Sequence, residues 1–234
     1  MKTIFPFAAI LLVAGSIMAA DSNTEVADAA KKLGQADNYS WKTTVESTGG
    51  RFRPGPTEGM TEKDGFTVLT ITRGDNTTRA VLKGTQGALK TDGDWESLAE
   101  AAKDDGSGNF NAGRFMAMTL QNYKTPAVEA AQLAGKTKEL KLAEGVYSGD
   151  LTEDGVKAML TFGRGGNGPE VSDGKGSVKI WLKDGLVSKY EFKVQGHVEF
   201  NGNGRDINRT TTVEIKDVGK TKVEVPEEAK KKVS

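Results

Sequence analysis

The chain has 234 residues, with 32 basic and 32 acidic side chains. Its neutrality excludes the broad basic surface that nucleic-acid binding or wholesale adsorption to anionic membranes requires. The absence of cysteine excludes disulfides, thiolate metal sites, cysteine nucleophiles and a lipid-attachment cysteine. A hydrophobic content of 36% supports one core in a chain too short for two substantial domains, so residues 21–234 are read as a single domain.

The N-terminal stretch MKTIFPFAAILLVAGSIMAADS places Lys2 before an apolar run from Ile4 to Ala14, followed by small residues at Ala19 and Ala20. This pattern predicts a secretory signal peptide, residues 1–20, cleaved after Ala19 or Ala20. A membrane anchor needs about 20 apolar residues, and this run is shorter and carries Pro6, Gly15 and Ser16.

In chain order, Val26, Ala29, Ala30 and Leu33 recur at helical spacing over 21–35, with Gly34 as a stop. YSWKTTVEST, 39–48, alternates as a strand, and a loop rich in Gly and Pro follows up to Gly65. Strands are predicted at 66–74 and 79–84, with a further short one at GALKT. WESLAEAAK (95–103), RFMAMTLQNY (114–123) and PAVEAAQLAG (126–135) read as helices, the last opened by Pro126 and closed by Gly135. KELKLAEGVYSGDLT returns to strand character, with its turn at Glu144–Gly145 or Gly149–Asp150. From Val156 the pattern predicts strands to the end: VKAMLTFG, two long arms joined at Asp184–Gly185, NRTTTVEIKDVG and KTKVEV. Pro226 then opens a short terminal helix whose Lys230, Lys231 and Lys232 suit a solvated last turn, and this tail is the best candidate for a local basic patch.

Gly163, Gly165 and Gly168 have the GxGxxG spacing of a dinucleotide loop, which works by turning a strand into a helix whose amides hold pyrophosphate. Here Pro169 and then an alternating strand follow the glycines, so the stretch from 163 to 176 is read as a hairpin loop between strands. A phosphate loop at Gly174–Lys175 lacks the required hydroxyl, because position 176 is Gly. The sole histidine, His197, lies on the charged face of a strand beside Glu199 and reads as a surface residue. Asp92, Asp94 and Glu96 resemble the start of a calcium loop, but Ser97 stands where that loop needs Gly; they read as an acidic turn capping the helix from Trp95. No catalytic constellation and no cofactor site emerges.

What the sequence offers instead is apolar. Phe115, Met116, Met118 and Leu120 make a helix greasy on more than one side, suited either to burial under a sheet or to lining a cavity. Val178, Ile180 and Leu182 share a face of the first long arm and Tyr190, Phe192 and Val194 a face of the second, while the opposite face carries Lys179, Lys183, Lys189, Glu191 and Lys193.

The segments SVKIWLKDGLVSKYEFKV and TTTVEIKDVGKTKVEVPEEAKK resemble the lipoprotein-carrier superfamily, the LolA-like and LppX/LprG-like proteins. The residues that carry the likeness are Trp181, Asp184, Gly185, Lys189, Val218, Gly219, Val223, Val225 and Pro226, with the turn in GALKTDGDWESLAE upstream. The resemblance covers roughly 39–230, and no residue matches a specific cavity arginine. It implies an α+β fold: one curved antiparallel sheet, a half-open β-barrel, with two to three helices on the concave face and a cavity for acyl chains. The expected function is therefore non-enzymatic: a soluble exported protein that holds a lipid or other apolar ligand. Phe115, Met118, Ile180, Leu182, Tyr190 and Phe192 are the candidate contacts. Membrane contact would be transient, no nucleic acid is involved, and a contiguous apolar cavity of about 300 Å³ or more is the expected signature. The competing expectation is an interaction or sensor domain with a solid core that binds an envelope protein.

Overall fold

A computed structural model describes residues 21–48, 55–103, 111–161, 169–200 and 202–233. The signal segment 1–20 and the three glycines at 163, 165 and 168 lie outside the described residues. In chain order the elements are α1 (Ser22–Gly34), β1 (Asn38–Thr48), β2 (Thr57–Glu62), β3 (Thr67–Arg73), β4 (Asn76–Lys83), β5 (Gln86–Lys90) and β6 (Glu96–Ser97). There follow α2 (Leu98–Ala101), α3 (Ala112–Leu120), α4 (Pro126–Gly135), β7 (Lys141–Ala143), β8 (Val146–Asp150), α5 (Glu153–Leu160), β9 (Glu170–Lys183), β10 (Leu186–Phe200), β11 (Asn203–Lys216) and α6 (Glu227–Lys230).

The strands form one open antiparallel sheet in the order β6-β5-β4-β3-β2-β1-β11-β10-β9-β8-β7. Two meanders, β1 to β6 and β7 to β11, are thus joined where the first strand pairs with the last. The β9–β10 arms meet at Asp184 (φ 54°) and Gly185 (φ 73°), the doubly left-handed turn that matches the twist of a hairpin. This is the expected curved half-barrel.

Alternation sorts the side chains into two cores. On the inner face Trp41, Leu69, Leu89, Val213, Tyr190 and Ile180 join Val26, Leu33, Met116, Leu133 and Leu160 of the helices in one continuous cluster. Helices α1 to α5 all contribute buried residues to it, more than the two or three expected. On the outer face Val68, Val81, Ala88 and Trp95 pack against Ala229 and Val233 of the C-terminal segment. Helix α1 lies on α4 through small residues, with Gly34 against the Ala127 Cβ, and Asn23 staples the pair to the sheet. Its Nδ2 donates to Ala134 O (3.0 Å) and Thr137 O (3.1 Å), and its Oδ1 accepts from Leu140 N (2.8 Å).

Several expectations are corrected. The loop after β1 contains strand β2, hidden in sequence because its inward positions are Thr57, Gly59 and Thr61, with the Trp41 indole lying over Gly59. VKAMLTFG is not a strand: Glu153–Leu160 is a helix, capped by the Thr152 hydroxyl accepting from Gly155 N, and it buries Val156 and Leu160 one turn apart. The glycine stretch therefore connects a helix to a strand, the reverse of a dinucleotide loop, and Asp173 to Gly176 belong to β9 rather than to a loop. The helix expected from Trp95 starts only at Leu98; Ser97 caps it with Glu100 in a reciprocal box, so Asp92 and Asp94 are not its caps. KTKVEV forms no strand, and instead runs across the outer face to bury part of Val223 and Val225. Lys230, Lys231 and Lys232 are exposed as expected, while Ala229 and Val233 beside them are buried.

Two substitutions test this packing. Gly59→Val drives a side chain into the buried Trp41 ring and is expected to lower stability by roughly 1–3 kcal/mol in urea melts. Asn23→Ala removes three hydrogen bonds between α1, α4 and the start of β7, with an expected loss of about 2–3 kcal/mol at an unchanged denaturant slope.

Candidate functional site

The inner face is not evenly roofed. Helices α1, α4 and α5 pack on β9 and β10 at one end, while α2, with α3 beside it, packs near β5 and β6 at the other. Between the two groups the inward residues Thr43 and Val45 of β1, Thr57 of β2 and Ile71 of β3 remain half-exposed, forming the floor of a cleft. At its α3 end lies a cavity of about 180 Å³ lined by Arg73, Thr78, Thr91, Gly113 and Met116. That is smaller than the ligand pocket of about 300 Å³ or more expected from the sequence. A larger groove, about 750 Å³, lies elsewhere, between the β2–β3 and β4–β5 turns and the C-terminal helix; it is open and lined by Phe66 and Val233 as well as by Asp64, Lys83 and Lys230.

Six residues were expected to touch a ligand. Ile180, Tyr190 and Phe192 are buried on the inner face, and Leu182 is half-buried there. Phe115 and Met118 are not inward: they stand 39% and 45% exposed, because α3 turns Met116, Ala117 and Leu120 to the core instead. A nine-residue helix with apolar residues on two sides offers no sequence signal for choosing between them.

The structure adds a polar cluster that sequence reasoning missed. The Tyr190 hydroxyl of β10 donates to Glu129 Oε2 of α4 at 2.5 Å. Near the same carboxylate lie Tyr123, Arg209 of β11 and Lys124. Arg209 also donates from Nη2 to Met159 O at 2.8 Å, tying β11 to α5. The Tyr39 hydroxyl of β1 accepts from Ala127 N at the start of α4 (3.4 Å), and its ring lies 5.6 Å from that of Trp41. Helix α4 is thus fixed to the sheet by polar contacts as well as by apolar packing.

Burial shifts these groups. Enclosure raises the Glu129 carboxyl above its usual range, partly offset by the Tyr190 hydrogen bond and the charges of Arg209 and Lys124. Tyr190 and Tyr123 are pushed far up by burial first and by the Glu129 charge second. Burial also lowers Arg209, with Glu129 opposing that shift. No pairwise motif could have announced the cluster, since its members come from four places far apart in the chain.

His197 has a partner unseen in the sequence: Nδ1 lies 2.8 Å from Asp206 Oδ1, across the β10–β11 ladder, on the surface. Among the described residues no group of three His, Asp or Glu side chains is placed to hold a metal ion, and no helix is long and apolar enough to cross a membrane.

Among the solved structures similar to this chain, LprF from Mycobacterium bovis aligns over 88% of this chain and 96% of its own at 12% identity, with a TM-score of 0.47. The LolA superfamily protein NE2245 from Nitrosomonas europaea aligns over 88% and 96% at 9% identity, with a TM-score of 0.35. No protein-family model and no curated protein sequence matches the chain. At such identities no residue role and no ligand transfers, and the architecture stands on the sheet itself.

The Glu129 carboxyl makes stability depend on pH in the direction opposite to that of a salt-bridged acid. Its native affinity for a proton exceeds that in the unfolded chain, so its contribution is fullest below the ordinary carboxylate range and is lost as pH rises through the raised native value. Glu129→Gln keeps an acceptor for Tyr190 and cannot ionise; its stability is expected to equal or exceed that of the parent near pH 8, with this part of the pH slope gone. Tyr190→Phe is expected to cost about 1–3 kcal/mol, because it strands a buried carboxyl group. Thermal melts from pH 4.5 to 8.5 read both, and a parent protein whose stability rises over that range through Glu129 would contradict the assignment.

Proposed function

We propose that the protein is a non-enzymatic carrier or sensor that holds an acyl chain or similar apolar ligand against the inner face of its sheet, in an extracytoplasmic compartment. The observation that carries this reading is the cleft over β1 to β3. A sheet whose inward face is apolar at both ends is left half-covered at its centre, between two separate groups of helices. A hydrocarbon tail laid along Val45 and Ile71 toward Met116 would gain about 0.8 kcal/mol per buried CH₂ without covalent chemistry. The 180 Å³ cavity beside Met116, partly open and lined also by Arg73 and Asp92, continues that path, and deeper entry requires α3 or α4 to move outward. Residues 21–234 act in this reading as one mature domain, exported by the signal segment 1–20. Asp21 at its start caps α1 by accepting from Asn23 N, so cleavage after Ala19 or Ala20 leaves the first helix whole.

A second reading is favoured by the same small volume: a domain with a filled core, closed by Ile180, Tyr190 and Phe192, that binds an envelope protein through its surface.

Native mass spectrometry of protein recovered gently from its host, followed by solvent extraction, separates the two. The carrier reading expects a co-purifying acyl lipid at near one per chain, and loss of that mass in Val45→Lys, which places a charge on the cleft floor at a half-exposed position with little cost to folding. A bare mass, unchanged after incubation with lipid vesicles, sinks the carrier and leaves the filled domain.

A further inference from the structure

The cavity at the α3 end of the cleft differs in character from the floor that leads to it. Along β3 the inward positions run Leu69, Ile71, Arg73, so an apolar stripe ends in a half-buried guanidinium. The register carries the same change across the sheet. Thr43, Thr57, Ile71 and Thr78 face one another on β1 to β4, and one inward position further on Arg73 faces Asn76. Val45 stands beyond Thr43 as Arg73 stands beyond Ile71, two strands and therefore about 10 Å away.

Hydrogen-bond donors converge on this cavity. Thr78 lines it, is 8% exposed, and its hydroxyl has no hydrogen-bond partner among the described residues. The first turn of α3 forms part of the wall through Ala112 and Gly113. Their amides have no carbonyl to bond within the helix, and the Asn111 side chain caps the following amide, that of Arg114, at 2.9 Å. The positive end of the α3 dipole thus adjoins the same space as Arg73. Burial weakens the hold of the Arg73 guanidinium on its proton, as expected of a charge drawn partly out of water. The acid on the lining is Asp92, which is exposed.

A half-buried cation, first-turn amides and a buried hydroxyl complement an oxyanion rather than a neutral or cationic group. The other inward guanidinium, Arg209, already donates to Met159 O and lies beside Glu129, so the cleft is polarised toward its α3 end. A volume of about 180 Å³ fits a polar head but falls short of the roughly 300 Å³ that a whole ligand needs.

We propose that the cleft takes an anionic amphiphile in one direction: an oxyanion head, carboxylate or phosphate, sits on Arg73, Thr78 and the first turn of α3, and its chain leaves past Met116 along Ile71 and Val45. This rests on the carrier reading and names its ligand class.

Calorimetric titration of the purified protein with dodecanoate, dodecyl phosphate and neutral 1-dodecanol, which share one chain, tests it. The better of the two oxyanions is expected to bind about tenfold or more tighter than the alcohol, and which one it is identifies the head. Arg73→Gln should cost that oxyanion about tenfold and the alcohol less than about threefold. Thr78→Val keeps Arg73 and the shape of the site, and should cost the oxyanion about threefold or more with the alcohol unchanged. If Arg73→Gln melts early, Thr78→Val carries the test. The proposal is overturned, with the carrier reading left standing, if the alcohol binds as tightly as both oxyanions or if the variants weaken all three probes alike. Failure of all three probes to bind overturns it together with the carrier reading.

Discussion

The pairing of β1 with β11 is the constraint on which the rest of the molecule depends. Ser40 to Thr48 register against Lys216 to Asn208, two segments at opposite ends of the described chain. Every other ladder in the sheet joins strands that are neighbours in sequence order, so this single contact turns two meanders into one surface. It closes a loop of more than 150 residues, an entropic cost that grows only slowly with length and that the apolar burial on both sides offsets. It also sets the inner face: Trp41 and Val213, which flank the seam, carry the cluster from the first meander into the second.

From that seam follows the division of labour between the faces. The inner face needs a roof because its pleat is apolar from β5 to β8, and the helices that supply it leave the middle thin. Where α4 meets β10, the contact is a carboxyl against a phenol with a guanidinium nearby, in surroundings that disfavour charge. Burying such groups is costly unless each is matched, so their presence marks a place where geometry is held more narrowly than hydrocarbon packing alone would hold it. The outer face has the opposite problem, a wide polar surface, and the C-terminal segment covers only the half where the pleat is apolar.

Much of the architecture was legible in the sequence, and the exceptions share causes. Alternation in β9 and β10 and the Asp184–Gly185 turn carried the long hairpin, and Pro126 with its following alanines carried α4, because these signals are local. Strand β2 was hidden because its inward residues are two threonines and a glycine that must lie beneath Trp41, which removes the apolar half of the alternation. Helix α5 was misread because eight residues with valine and leucine four apart also look like a short buried strand. At the candidate site, Ile180, Tyr190 and Phe192 were placed inward by their pleat, whereas Phe115 and Met118 could not be placed, since a greasy helix does not say which side its neighbours occupy. The Glu129 cluster had no local signature at all, being assembled only by long-range pairing.

An open sheet of eleven strands has two ends where backbone amides and carbonyls could recruit another chain, the usual route to edge-to-edge aggregation. Here the ends taper: β6 is two residues long and β7 three, and β7 begins with Lys141 after the charged Lys138 and Glu139. A foreign strand would find only one or two hydrogen bonds before meeting a lysine or a turn. The half-barrel can therefore stay open without closing its ladder on itself or on a neighbour, leaving its concave side accessible in a crowded compartment.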